Sequence, residues 1–261
     1  HRTMKLLLHS LALALSVSHG ANGQITVQSG LAHRIEHLPG QQEIIPIKLK
    51  NIGDKPCAFH IELADLSSHC DSGYRYLPPG STAESCASWL EAETYDYVLR
   101  AHEEMIVKVR MRIPKGFNRS SARACLLVTS KPEKPAEKKG PRLNIELRYA
   151  VNVLYRNPAV PPVVAMEAKA LAVGEDNKVW ALRYQNAGNV DRIISSRAHL
   201  LNDRGEVVYQ TESLHAKGLI PNQCRTVQFK KPDLPAGNYQ MVVVSQTDAG
   251  EKFGVTHSLK L

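Results

Sequence analysis

Short apolar runs bounded by turn residues fill almost the whole chain, and this pattern constrains the fold more than any other feature. The runs in the first half include "QITVQS", "EIIPIKLKN", "CAFHIELADL", "MIVKVRMRI" and "ARACLLVTS". Those in the second half include "KVWALRYQN", "IISSRAHLL", "RTVQFK" and "YQMVVVSQ". Several short runs at a spacing of about ten residues, separated by glycine, proline and asparagine, are typical of the strands of a β-sandwich. The sequence therefore predicts an all-β protein.

The proline-rich segment "NPAVPP", residues 157–162, divides the predicted strands into two sets. Proline removes a backbone donor and stiffens the chain, so such a run favours a linker over a strand. A chain of 261 residues is long enough for two modest cores. We therefore predict an N-terminal domain over residues 24–156 and a C-terminal domain over residues 163–261.

Residues 1–23 have the pattern of a signal peptide preceded by a few upstream residues. Lys5 precedes the apolar run "LLLHSLALALSV", and the small residues of "SHGANG" then offer a cleavage point before Gln24. The apolar run is too short to span a bilayer, and no later run approaches the roughly 18 apolar residues of a membrane helix. We expect an exported protein with no direct membrane span.

Five cysteines fit an oxidising compartment, and the odd number leaves at least one thiol unpaired. Cys70 and Cys86 bracket the loop "CDSGYRYLPPGSTAESC". We predict a disulfide between them, which would contribute roughly 3 kcal/mol through loop-closure entropy. Cys57 and Cys125 fall in predicted strands and either pair or remain buried thiols, which leaves Cys224 as the odd cysteine.

A formal net charge of +8 suggests a nucleic-acid partner, because basic patches attract phosphates. The positive residues are scattered, however, and their densest stretch, residues 131–142, also contains Glu133 and Glu137. Mixed charge of this kind is typical of a solvated loop, and an exported protein rarely meets nucleic acid. The sequence predicts no nucleic-acid partner.

The string "HRIEH" places His33, Glu36 and His37 at the spacing of one class of zinc peptidase. That chemistry needs both histidines on one face of a helix. Here the string lies in an extended region, where the two histidines would be roughly 13 Å apart. Nucleophile elbows, Walker loops and dinucleotide fingerprints are absent from the sequence. We therefore predict no enzymatic activity, no metal and no cofactor, and favour a binding or structural protein.

The segment "RLNIELRYAVNVLYRNPAV", residues 142–160, changes character along its length. Leu143, Ile145, Leu147 and Tyr149 first alternate with polar residues, and the residues up to Tyr155 are then nearly all apolar. A strand of this kind is half-buried where it begins and almost wholly buried where it ends.

This strand resembles the last strand of the first domain in the PapD-like periplasmic pilus chaperones. In that family the strand alternates apolar residues and ends in an apolar-Tyr-Arg-Pro signature, and here "LYRNP" has Asn157 inserted before Pro158. The passages 88–116 and 184–208 also resemble family motifs. The resemblance implies two immunoglobulin-like β-sandwich domains joined at an angle, a periplasmic location, and a chaperone of pilus or fimbrial subunits that works with an outer-membrane usher.

The resemblance also implies roles for individual residues. The family acts by donor-strand complementation, in which a strand of the chaperone completes an incomplete sandwich in its client. The client's strand would then bind along Leu143, Ile145, Leu147 and Tyr149. Arg34 matches the family's arginine that holds the client's terminal carboxylate, and a guanidinium binds a carboxylate bidentately. The family's second anchor is a lysine, and its position here falls on Asn152, so nearby arginines are substitutes. The additional candidates for the carboxylate anchor are Asn152, Arg148 and Arg156.

The absence of a lysine at Asn152 leaves a second interpretation open. A noncatalytic cell-envelope scaffold or adhesion-associated protein would keep the same fold without the client cleft. Genes for an usher and pilins beside this one would favour the chaperone, whereas a lone gene beside secretion or cell-wall genes would favour the scaffold.

Overall fold

The computed structural model describes residues 25–71, 73–131, 146–173 and 178–261. Within these ranges the chain forms β-strands and one 3₁₀ turn at Ala87–Trp89. The strands of the first half are β1 (Ile25–Val27), β2 (Ala32–Glu36), β3 (Gln42–Asn51), β4 (Cys57–His69), β5 (Gly73–Leu77), β6 (Leu90–Ala92), β7 (Asp96–Leu99), β8 (Glu104–Arg112), β9 (Ser121–Ser130) and β10 (Arg148–Arg156). The strands of the second half are β11 (Met166–Val173), β12 (Val179–Asn186), β13 (Arg192–Leu201), β14 (Val207–Gln210), β15 (Leu214–Leu219), β16 (Cys224–Lys230), β17 (Asn238–Thr247) and β18 (Lys252–Lys260).

Two sheets form the first domain. One has the strand order β1-β3-β8-β6, and the other has the order β2-β10-β9-β4-β5 with β7 also paired to β4. Their inner faces enclose one core, because alternate residues of each strand point inward. In β3, for example, Ile45, Ile47 and Leu49 are buried while Ile44 and Pro46 face outward.

The second domain repeats this plan with two smaller sheets, β11-β12-β16 and β14-β13-β17-β18, the latter with β15 also paired to β13. Trp180, Tyr184 and Phe229 are the largest side chains in its core. The predicted all-β fold with two β-sandwich domains is therefore confirmed. The predicted domain limits stay predictions, and the predicted signal peptide lies outside the described residues.

Strand β9 is buried on both of its faces, unlike the strands that alternate. Ala124 and Leu126 belong to the core of the first domain, whereas Cys125 and Leu127 form a small apolar cluster on the opposite face with Ala64. A strand covered on both sides carries a continuous apolar run, as "ARACLLVTS" does.

The segment between the domains is fixed to the second domain by hydrogen bonds. The Asn189 side chain accepts from the N–H of Val163 (2.7 Å) and donates to the C=O of Pro161 (3.0 Å), and the Asn189 N–H donates to the C=O of Val163 (2.9 Å). Gly188 is required here, because a Cβ at that position would collide with the backbone of Val163. The start of the second domain is thus anchored on the turn that follows β12.

Candidate functional site: an open strand edge beside an interdomain cleft

Strand β10 is paired along only part of one edge. It pairs antiparallel with β9 over its whole length, but on its other side β2 pairs parallel with it only from Asn152 to Arg156. Among the described residues, no strand pairs with that side of β10 before Asn152. The first half of β10 therefore has an open edge, a feature that another strand can extend.

Backbone hydrogen bonds identify which groups face this open side. The last N–H of β9 donates to the C=O of Leu147 (3.1 Å), whereas the N–H of Asn152 points the other way and donates to the C=O of Leu31 (2.9 Å). Because the backbone groups of successive strand residues alternate in direction, Arg148 and Ala150 present theirs on the same side as Asn152. The backbone groups of Arg148 and Ala150 form what we call the open strip.

The side chains of β10 explain the change of pattern seen in the sequence. Val151, Val153 and Tyr155 are fully buried in the first core, whereas Leu147 and Tyr149 are only half-buried. Tyr149 packs against that core from its margin. The strand is thus half-buried beside the open strip and buried where β2 covers it.

Two of the predicted client-binding residues, Leu143 and Ile145, lie outside the described residues. The other two, Leu147 and Tyr149, are at the beginning of β10, directly beside the open strip. Their predicted role in binding a client stays a prediction. In this structure Tyr149 also contributes to the packing of its own domain.

Arg34 projects from β2 into the space between the two domains. Its Nε and Nη2 both donate to one carboxylate oxygen of Asp191, at 3.2 and 2.9 Å, and Nη2 lies 4.0 Å from a carboxylate oxygen of Asp248. Both aspartates belong to the second domain. The Arg34 side chain remains 52% exposed, so this ion pair is formed at the surface and is weak.

Arg34 lines an interdomain cavity of about 270 Å³ whose charges balance. Its charged lining residues are Arg34, Arg156, Arg192, Glu36, Asp191 and Asp248. Three cations face three carboxylates, so the cavity has no surplus of positive charge. A carboxylate entering from outside must displace Asp191 from Arg34 before it can bind there.

The other predicted anchors occupy different surroundings. Arg156 donates to Glu36 at 2.6 Å, at the edge of the cavity. Arg148 donates instead to the hydroxyl of Thr129 (3.1 Å), away from it. Asn152 has its Oδ1 enclosed and without a hydrogen-bond partner among the described residues. Of the four predicted carboxylate anchors, the structure therefore places only Arg34 and Arg156 at the interdomain cavity.

Arg192, which lines this cavity, forms a second ion pair with Glu251. The guanidinium of Arg192 binds both carboxylate oxygens of Glu251, with the shortest contact at 2.9 Å, and the hydroxyl of Thr247 also donates to Glu251. The hydrogen bond from Arg192 is the main reason that the pKa of Glu251 is lowered to about 2. Glu251 is therefore ionised throughout the neutral and mildly acidic range.

The predicted disulfide between Cys70 and Cys86 is wrong. Cys70 is bonded to Cys224, across the two domains, with the two Cα atoms 4.7 Å apart. The hairpin of β4 and β5 carries Cys70 away from Cys86 and onto the second domain, whereas Cys86 is buried in the first core. The assignment of Cys224 as the odd cysteine is wrong for the same reason.

The remaining cysteines, Cys57, Cys86 and Cys125, are buried and lie outside this disulfide. Burial raises the pKa of Cys125 to about 12 and also raises that of Cys86. Neither thiol is ionised at neutral pH, so both are protected from alkylation and oxidation while the structure stays closed.

The string "HRIEH" forms strand β2 and the residue after it. His37 forms a hydrogen bond of 2.5 Å with Glu43, and Glu36 binds Arg156. His33 lies opposite Val153, and burial lowers its pKa. Among the described residues, no group of three or more His, Cys, Asp or Glu side chains is arranged to hold a metal ion.

Sequence reasoning missed Asp191 and Asp248, the two carboxylates that face Arg34. Both lie beside turns of the second domain, in "NVDR" and "TDAG", where acidic residues are common. Arg34 and Asp191 are 157 residues apart. No local signal relates residues at such a distance, because only the docking of the domains brings them together.

Comparison with family models finds no match for this sequence, and no curated protein matches it. Several solved structures do. The YadV chaperone aligns at 14% identity with a TM-score of 0.48, covering 90% of this chain and 99% of that chain. A chain of the CsuC–CsuE chaperone-tip adhesion subunit complex of Acinetobacter baumannii aligns at 12% identity with a TM-score of 0.48, covering 90% and 98%.

A chain of the Salmonella enterica SafA pilin in complex with the SafB chaperone aligns at 11% identity with a TM-score of 0.47, covering 92% of this chain and 97% of that chain. Identities of this size do not transfer a function from one protein to another. No helix among the described residues is long and apolar enough to cross a membrane.

Proposed function

We propose that this protein is a periplasmic chaperone of fimbrial or pilus subunits that captures its client on the open strip of β10. The observation that carries the proposal is the pairing of β10: β2 covers its second half, whereas no strand among the described residues pairs with the outward backbone groups of Arg148 and Ala150. An unfinished subunit that lacks one strand offers the complementary edge. Backbone hydrogen bonds then attach the client, and alternate side chains provide specificity.

The side chains at the open strip suit an apolar partner. Leu147 and Tyr149 are half-buried, and Tyr149 packs at the margin of the first core. Complete burial of an exposed apolar side chain contributes roughly 1.5 to 3 kcal/mol, so a client that covers the remaining surface of these half-buried side chains gains part of that amount from each, before the cost of ordering the client. Leu143 and Ile145 continue the same alternation in the sequence, and we include them in the proposed client-binding strand.

Arg34 is the proposed anchor of the client's terminal carboxylate, and its use requires an exchange of partners. The client carboxylate would replace Asp191 on the Nε and Nη2 atoms, which already form a two-pronged donor edge. Because the existing ion pair is exposed, this exchange costs little. The outer-membrane usher would receive the loaded client, and a binding role of this kind involves no catalysis.

The second candidate is a noncatalytic envelope scaffold or adhesion-associated protein. It is favoured by the engagement of Arg34 with Asp191, which stabilises the contact between the domains without any client. Under this alternative the open strip is an ordinary sheet edge. Substitutions there would leave all partners unaffected.

Co-expression of the mature chain in a periplasm with the pilin-like genes of its own locus tests the proposal. A subunit should co-purify stoichiometrically with the wild type, and Ile145→Asp and Arg34→Ala should each lose it. Ala150→Pro removes the open-strip N–H and should reduce capture, while the matched control Ala150→Ser keeps that donor and should retain it. Purification without a subunit, or capture that ignores all three substitutions, would move the assignment to the scaffold.

A further inference from the structure

The hairpin of β4 and β5 extends beyond its own sheet. Strand β4 pairs with β9 only as far as Ala64, and from Asp65 onward it pairs with β5 instead. The described part of this projection, residues 65–71 and 73–77, reaches the second domain, and we refer to it as the strap. It is the part of the first domain that carries Cys70.

A disulfide and hydrogen bonds to the backbone attach the strap to the beginning of β16. The disulfide joins Cys70 to Cys224. The N–H of Thr226 donates to the C=O of Cys70 (2.8 Å), and the hydroxyl of Ser68 donates to the C=O of Cys224 (3.2 Å). The strap and β16 therefore meet through backbone contacts centred on the disulfide.

Polar contacts surround this attachment. The hydroxyl of Tyr74 donates to the C=O of Gly218 (2.9 Å), and the guanidinium of Arg225 lies 4.1 Å from the centre of the Tyr74 ring. Asp71 accepts from the hydroxyl of Thr226 (2.8 Å) and pairs with Arg183 (3.2 Å), and both contacts are exposed, where ion pairs contribute little. None of these contacts buries a large apolar side chain.

The same interface also encloses polar atoms without partners. Within the described ranges, Nε and Nη2 of Arg225 have no hydrogen bond. Enclosed polar groups without partners oppose association. The noncovalent contacts alone therefore hold the strap weakly.

We propose that the Cys70–Cys224 bond is a redox-sensitive latch that keeps the two domains closed over the outer face of the β9 sheet. A thiolate of a dithiol reductant attacks one of the two sulfurs and forms a mixed disulfide, and the other sulfur leaves as a thiolate. The second thiol of the reductant then displaces the first cysteine. The products are two cysteine thiols and the cyclic disulfide of the reductant. Both cysteines are only half-buried, so a reductant reaches them.

Cys125 is the thiol that should report separation of the domains, because it lies on the outer face of the sheet that also carries the strap. It shares a sheet face with its cross-strand partners Ala64 and Asn152, and alternation along β4 and its pairing with β5 put Tyr74 on this face too. Tyr74 contacts the second domain, and Cys125 is fully buried. Separation of the domains uncovers this thiol.

Cys57 and Cys86 provide an internal control. Both lie inside the core of the first sandwich, between its two sheets. Opening of the interface leaves them buried, whereas unfolding of the first domain exposes all three thiols. The pattern of labelling therefore separates the two events.

The test uses pulse alkylation of the full mature chain with a maleimide, followed by peptide mass spectrometry. In the Cys70→Ser/Cys224→Ser variant, we expect the labelling rate of Cys125 to rise at least tenfold over the oxidised wild type, with no change at Cys57 and Cys86. The wild type, reduced with dithiothreitol after folding and then desalted, should behave in the same way. The reduced wild type is folded before reduction, so the test remains valid even if the double variant fails to fold.

An unchanged labelling rate at Cys125 in the reduced wild type would overturn the proposal, and so would equal acceleration at all three thiols. The matched control Cys57→Ala removes a cysteine outside the latch and should leave Cys125 protected. No client takes part in this experiment, so its outcome is independent of the function proposed above.

Discussion

Removal of the Cys70–Cys224 bond should destabilise the second domain by several kcal/mol. While the first domain stays folded, it holds both the start of the linker and Cys70. If the second domain unfolds while the bond is intact, its unfolded chain is held in a loop of about 67 residues, from residue 157 to Cys224. The entropy that this loop removes from the unfolded state corresponds to roughly 4 kcal/mol of stability at 25 °C. Should both domains unfold together, the separation of 154 residues between the cysteines raises the value to about 5 kcal/mol.

The two tryptophans allow this effect to be measured for one domain at a time. Trp180 is buried in the second core, and Trp89 packs beside the first. In a Trp89→Phe background, urea unfolding followed by fluorescence reports the second domain alone. With an m-value of about 2 kcal/mol/M, the Cys70→Ser/Cys224→Ser variant should unfold at about 2 M lower urea.

A loss below about 1 kcal/mol, with an unchanged m-value, would refute the loop-closure reasoning. That result would mean that the unfolded second domain is already constrained without the bond. The control is Cys57→Ala in the same background, which leaves the bond intact and should not shift the transition reported by Trp180.

Three further predictions concern carboxylates. Asp191→Asn frees Arg34 and should raise the affinity for a peptide carboxylate by about two- to fivefold in calorimetry, as expected for loss of an exposed ion pair; an unchanged affinity would remove Arg34 as the anchor. Asp65→Ala deletes a buried carboxylate that accepts four hydrogen bonds and should lower the free energy of unfolding by about 3 kcal/mol. A decrease of less than about 1 kcal/mol would contradict this prediction. The Glu251 carboxyl should titrate near pH 2 by NMR, and Arg192→Ala should raise this midpoint. Because the pKa of Glu251 in the folded protein is below the ordinary value of 4.5, the ionised carboxylate stabilises the fold above pH 4.5, and this stabilisation is lost as the pH falls toward 2.

Alternation predicted most strands because it is a local property. The runs "EIIPIKLKN" and "MIVKVRMRI" became β3 and β8 in register with each other. Strand β11, "MEAKALAV", was not predicted, since alanine, lysine and glutamate are poor strand formers. Its pairing with β12 imposes the extended conformation.

The interdomain features could not be predicted from local patterns. Spacing favoured a bond between Cys70 and Cys86, but the partner of a cysteine depends on which strands meet in three dimensions. Arg34 was identified through a resemblance, and its role as an anchor stays a prediction. Its partner Asp191 had no such signal, because it becomes a neighbour only when the domains dock.

Backbone amide exchange on β10 tests the central claim most directly. Without a client, the amides of Arg148 and Ala150 should exchange much faster than that of Val151, which faces β9. Addition of a subunit from the protein's own locus should protect the Arg148 and Ala150 amides and leave Val151 unchanged. A client that binds tightly without protecting those two amides would contradict strand capture on the open strip.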